Sequence, residues 1–193
     1  MQELLETDKS YNGIDFTNTP FPKGEYESCR FGNCDFGNTD LAGIKFIDCT
    51  FTACNLSLAK LTKTTFQDVV FTDCKLLGLR FDQCSAFGLS FRFENCQLNH
   101  ASFYGVKIKG TQFRNIQLQE VDFTDCDLTG AAFQNCDLHK AVFENTVLQK
   151  ADFRTSYHYS LDPERNKIKG AKFSLPDVTG LLDKYGIQID KAG

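Results

Sequence analysis

Large apolar side chains recur at every fifth position along most of this chain. From Phe16, steps of five reach Phe21, Tyr26, Phe31, Phe36, Leu41, Phe46, Phe51, Leu56, Leu61, Phe66, Phe71, Leu76 and Phe81. From Phe93 they reach Leu98, Phe103, Ile108, Phe113, Leu118, Phe123, Leu128, Phe133, Leu138, Phe143, Leu148 and Phe153. Only 41% of the residues are apolar, so 27 successes without a miss are not chance. An α-helix would scatter such positions around its axis, and a strand would send alternate ones to opposite faces. A second regular position lies two residues before each centre. It is mostly small: Cys29, Cys34, Thr39, Cys49, Cys54, Ala59, Cys74, Ala101, Cys126, Ala131 and Cys136 are examples. The other three positions are mainly polar or Gly. Each quintet therefore points one large and one small side chain inward, and three toward water or a corner.

Triplets such as "ADF", "CDL", "CNL" and "ASF" match the pattern A-(D/N)-L-x-x, with Cys or Ser allowed for Ala and Phe for Leu. On these the chain resembles the pentapeptide-repeat family over about residues 14–173. The resemblance implies an all-β fold, a right-handed quadrilateral β-helix with four quintets per coil. A period of 20 should follow, and Phe31, Phe51, Phe71, Phe93, Phe113, Phe133, Phe153 and Phe173 supply it, with a single step of 22. Like side chains then stack on like in about seven coils roughly 4.8 Å apart.

The pattern breaks twice. The step of 22 places an insertion near residues 91–93, expected as a bulge or short loop with Arg92 at its tip. After Phe153 the centres at 158 and 163 are His158 and Pro163, which suit no core, so a loop is expected over 154–167. Tyr157, Tyr159 and Leu161 are candidates to cover the last coil, since solenoid ends need caps. Residues 174–193 change period. Ser174 can cap a helix, Gly186 can end it, and Val178, Leu181, Leu182 and Tyr185 form an apolar stripe. Ile187 and Ile189 then alternate as a short strand. Such an element is not stable alone and must pack on the last coil or on a second subunit. It looks much like the C-terminal module of Qnr-type and MfpA-type members, which implies a homodimer through Val178, Leu181, Leu182, Tyr185, Ile187 and Ile189. The expected layout is an N-terminal segment or cap (1–13), the β-helix (14–173), and a dimerising helix and strand (174–193).

Nine cysteines raise the question of zinc or disulfides. No CxxC pair occurs, and all nine fall on the small inward position, so they read as buried, reduced filler. The three histidines have no ligand spacing, and no nucleophile elbow, phosphate loop or carboxylate pair stands out. No catalytic residue, metal or cofactor is expected. The start, "MQELLETDKSYNG", lacks the apolar core of a secretory signal, and no apolar run spans a membrane, so the cytoplasm is the expected compartment. Net charge is −4, which argues against direct nucleic-acid binding.

Resemblance to Qnr-type members implies a rod that mimics duplex DNA, binds a type II topoisomerase such as DNA gyrase, and protects it from quinolones. The charge supports this in part. Residues 1–50 hold nine acids and four bases, 51–109 four and seven, 110–153 seven and three, and 154–193 five and seven. Glu120, Asp122, Asp125, Asp127 and Asp137 form the densest acidic group. The alternative is a structural or adaptor module that offers a flat β face to another protein.

Overall fold

The computed structural model describes residues 4–190. Its organising feature is a left-handed backbone residue in most quintets. Asn33, Asn38, Gly43, Asp48, Ala53, Leu58, Lys63, Asp68 and Asp73 hold φ between +52° and +76°. Gly, Asn and Asp reach this region at least cost, which is why they crowd the position two after each centre. Each such residue turns the chain onto the next side of a square, and four turns close a coil.

Strands form where successive coils align. β1 (Leu4–Thr7), β3 (Gly24–Glu27), β5 (Lys45–Ile47) and β7 (Thr65–Gln67) make a parallel sheet on what we call the fourth side. β2 (Ser10–Asn12), β4 (Arg30–Gly32), β6 (Thr50–Thr52), β8 (Val69–Thr72), β9 (Phe91–Glu94), β10 (Gln112–Arg114) and β11 (Ala132–Gln134) make the first side. The register is +20, as in Phe31↔Phe51, and changes once to +22, at Phe71↔Phe93. On the second and third sides single bridges do the same work, for example Asp35↔Asn55↔Lys75↔Gln97 and Ser102↔Asp122. This is the quadrilateral β-helix.

The side chains stack in matching columns. Along the first side Tyr11, Phe31, Phe51, Phe71, Phe93, Phe113, Phe133, Phe153 and Phe173 lie face to face, with centroids 4.7–5.6 Å apart. Rings of adjacent columns meet edge-on, as Phe103 does with Phe113 at 90°. Burying one such ring contributes about 1.5–3 kcal/mol before entropy.

The small inward slot has a chemistry of its own. Thr64 Oγ1 donates to the Leu41 carbonyl (2.8 Å), Thr146 Oγ1 to that of Phe123 (2.9 Å), and Ser156 Oγ to that of Phe133 (2.6 Å). In each case the acceptor lies 23 residues earlier. Cys54, Cys74 and Cys136 place their thiols on the equivalent carbonyls of Phe31, Phe51 and Phe113, at 3.3–3.5 Å. These cysteines are weak donors to a fixed acceptor as well as filler.

Four boundaries differ from expectation. Residues 4–13 are already a coil, because β1 and β2 pair with β3 and β4. The insertion lies before Phe91. A 3₁₀ turn at Phe81–Gln83 ends the third side, the chain leaves the wall over Ala86–Gly88, and Ser90 N returns to the Phe66 carbonyl at 2.9 Å. Phe91 then fills the small slot opposite Val69. Arg92 is therefore not a loop tip but an exposed strand residue opposite Val70, and Phe87, 86% exposed, occupies the tip. Third, the departure after Phe153 is shorter than 154–167. Tyr157 still bridges Asp137 and Lys167 already bridges Val147. Tyr159 and Leu161 are buried as a cap, whereas Tyr157 is exposed.

The tail is the fourth. It forms no α-helix and no strand over 187–190, only 3₁₀ turns at Val178–Leu181 and Asp183–Tyr185. Ser174 caps no helix; its hydroxyl lies 3.3 Å from Asp177 Oδ2. The cause is tertiary. Leu161 N donates to the Gly180 carbonyl (3.1 Å), and Gly180 lies so close to the Tyr159 carbonyl that a Cβ would collide with it. Lys184 Nζ reaches Asp162 Oδ1 and Glu164 Oε2, each at 2.7 Å. These anchors hold the tail across the last coil. Gly186, at φ +59°, does end the last turn.

Candidate functional site

The working parts of a filled rod are its surfaces. The first is the outer face of the tail. Leu181 turns inward and packs on the core. Leu182, Tyr185, Ile187 and Ile189 are exposed, Val178 is half-buried, and Leu175, 85% exposed, joins them. Val178, Leu182, Ile187 and Ile189 line one groove together with Leu175 and Pro176. Five of the six tail residues expected at an interface thus stay on the outer side, and Leu181 does not. Leu175 was hidden in the sequence by its place before Pro176, outside the helical stripe.

The second is acidic. The five carboxylates named from the sequence do not form one patch. Five residues move the chain by one side, so Asp122 lies on the third side, Asp127 on the fourth, and Asp137 on the second side of the next coil. Most are engaged locally. Asp122 Oδ1 accepts from Thr124 N, and Asp127 Oδ1 from Thr129 N and Oγ1. Asp127 Oδ2 also lies 3.3 Å from Lys109 Nζ. Asp137 accepts from Gln119 Nε2 (2.7 Å), lies 2.9 Å from His158 Nδ1, and accepts from His139 N. Partial burial opposes ionisation of Asp137, but these donors outweigh it and hold its carboxyl below the ordinary range. Glu120, 3.4 Å from His100, and Asp125 project from corners.

A longer acidic ridge lies elsewhere. The corner between the fourth and first sides reads Asp8, Ser28, Asp48, Asp68 on consecutive coils, all with positive φ. The three aspartates are exposed and Glu27 stands beside them. Reading the sequence at a step of 20 from Asp8 would have found this ridge.

The cysteines are free. Burial pushes the Cys49 and Cys136 thiols up to about 12. Among the described residues no group of three or more His, Cys, Asp or Glu side chains can hold a metal ion, and no helix is long and apolar enough to cross a membrane.

Coils of four five-residue sides around stacked rings define a β-solenoid of pentapeptide repeats. The chain belongs to the pentapeptide-repeat family, whose pentapeptide repeat region matches residues 24–103, 44–123 and 96–173. No curated protein matches it. Two solved structures of trypsin-treated variants of QnrB1, a plasmid-mediated fluoroquinolone resistance protein, each superpose with a TM-score of 0.61. They are 19% and 18% identical, and the match covers 97% and 98% of this chain and 100% of theirs. At that identity the likeness establishes the fold.

Proposed function

We propose that this chain is a non-enzymatic, Qnr-like DNA mimic of the cytoplasm, dimeric through its tail, that binds a type II topoisomerase such as DNA gyrase and protects it from quinolones. The observation that supports the reading most is the superposition on a trypsin-treated variant of a fluoroquinolone resistance protein, over 97% of this chain and 100% of that solved chain. The exposed apolar tail face suits a second copy. The ridge of Asp8, Asp48 and Asp68 puts an acidic side chain on three of four consecutive coils about 4.8 Å apart, which favours encounter with a basic DNA-binding surface. Gyrase supercoiling in the presence of ciprofloxacin tests the reading. Added protein should restore supercoiled product, and Asp48→Asn with Asp68→Asn should weaken the rescue. No rescue at micromolar protein would overturn it.

A second reading, an adaptor for another protein, is favoured by one observation. The third side mixes Asp40 and Asp122 with Lys60 and Arg80, which is not the charge of a phosphate backbone. Stoichiometric recovery of a partner other than a topoisomerase from host lysate would support it.

A further inference from the structure

The loop that carries Phe87 leaves a rung missing on the fourth side. Elsewhere on that side each coil binds the one before it by a fixed set of backbone bonds. Asp127 N donates to the Val106 carbonyl, the Asp127 carbonyl accepts from Ile108 N, and the Thr129 carbonyl accepts from Gly110 N. Val147 and Gln149 repeat the set on the next coil. The equivalent groups one coil earlier are Lys107 N and the carbonyls of Lys107 and Lys109. Their partners would lie in residues 84–88, where Ser85 stays on the coil below through its bond to the Thr64 carbonyl and Ala86–Gly88 leave the wall. Among the described residues none of the three has a protein partner.

A groove of about 320 Å³ runs there, between Leu89–Arg92 on one bank and Lys107–Gln112 on the other. Its floor is apolar: Phe91 and Ile108 are 5% and 3% exposed. Its rim is cationic. Arg92, Lys107 and Lys109 are all exposed, and among the described residues neither Arg92 nor Lys107 has a carboxylate within salt-bridge distance.

We infer that this groove binds an extended acidic segment of a partner protein, added as the missing parallel rung. A donor–acceptor–acceptor edge of a parallel ladder is matched by extended backbone, which supplies one carbonyl and two N–H groups at that spacing. Side chains of such a strand alternate. One set would meet Leu89 and Ile108, and the other would face Arg92 and Lys107, which selects small apolar residues alternating with Glu or Asp. The surface is of opposite charge to the Asp8–Asp68 ridge and is independent of the tail.

Amide NMR of the full chain, titrated with the peptide Ac-Glu-Val-Glu-Val-Glu-Val-NH2, tests the inference. Shifts centred on the amides of Lys107–Gly110, saturating below millimolar peptide, are expected. The double variant Arg92→Glu, Lys107→Glu should weaken binding at least tenfold while leaving the amide spectrum of the distant coils unchanged. A peptide with Pro in place of each Val, which removes the N–H groups, should not bind. Equal binding of the Pro peptide, equal shifts with inorganic phosphate at the same concentration, or an absence of shifts at these amides would each overturn the inference.

Discussion

The donor slot makes an unusual prediction for Cys136→Ser. At an ordinary buried cysteine a serine is costly, because its hydroxyl loses water and finds no partner, at about 1–3 kcal/mol. Cys136 is fully buried, so the desolvation applies in full. Here the Phe113 carbonyl already receives the thiol at 3.5 Å, and the neighbouring carbonyl of Phe133 receives Ser156 Oγ at 2.6 Å in the same slot one coil later. A serine at 136 should make that bond, and a hydroxyl bond contributes a net ~1 kcal/mol. The bond offsets part of that cost, leaving a loss of about 0–2 kcal/mol. Charge adds nothing, because burial keeps the thiol neutral to about pH 12. Cys136→Ala loses the sulfur contacts and the weak bond together and should be at least as destabilising as the serine. Equilibrium unfolding in urea gives both values at constant m. A serine variant more than 2 kcal/mol below wild type, or clearly below the alanine variant, would refute the donor-slot argument.

Other expectations follow from the corners, the thiols and the tail. Ala53 sits at φ +52° in a column with Asn33, which donates to Asn12 at 2.9 Å; Ala53→Asn should raise stability by about 0.5–1 kcal/mol, read as a higher urea midpoint. With eight thiols buried and the ninth, Cys84, held neutral by burial, Ellman's reagent at pH 8 should label the native protein at under one thiol per chain over minutes, rising to nine in denaturant. Gly180→Ala should force the tail off Tyr159, seen as rapid tryptic cleavage after Lys184 with the solenoid intact. The Lys184 bond, helped by Glu164 N, depresses the Asp162 carboxyl, so its contribution to tail docking is present above the ordinary carboxylate range and is lost as pH falls through the lowered value; acid-induced release should therefore begin only below roughly pH 4, followed by tail amide shifts.

The period of five carried the fold because centre and slot are both inside, where only size and polarity matter. What it could not carry was which residue turns the corner. Asn and Asp mark it plainly, but Ala53, Leu58 and Lys63 adopt the same φ with no such mark. The insertion was misplaced by one element for a related reason. Phe91 sits on the step of five from Phe81, yet it occupies a small-residue slot made available by Val69 across the ladder. The tail had a helical stripe, but contacts of Gly180, Leu161 and Lys184 override that local preference. The acidic group dissolved because neighbours in sequence lie on different sides, whereas residues 20 apart share one.

The missing rung also sets how the rod yields to force. Between the coil of Phe71 and that of Phe93, β8 pairs with β9, Lys75 with Gln97, and Arg80 with Ser102, while the remaining wall is open. A beam slit along one wall has a compliant axis at the slit. Flexure should concentrate at this level and run toward or away from the open wall, and the rings it tilts are those stacked across it, Phe71 on Phe93 and Phe81 on Phe103.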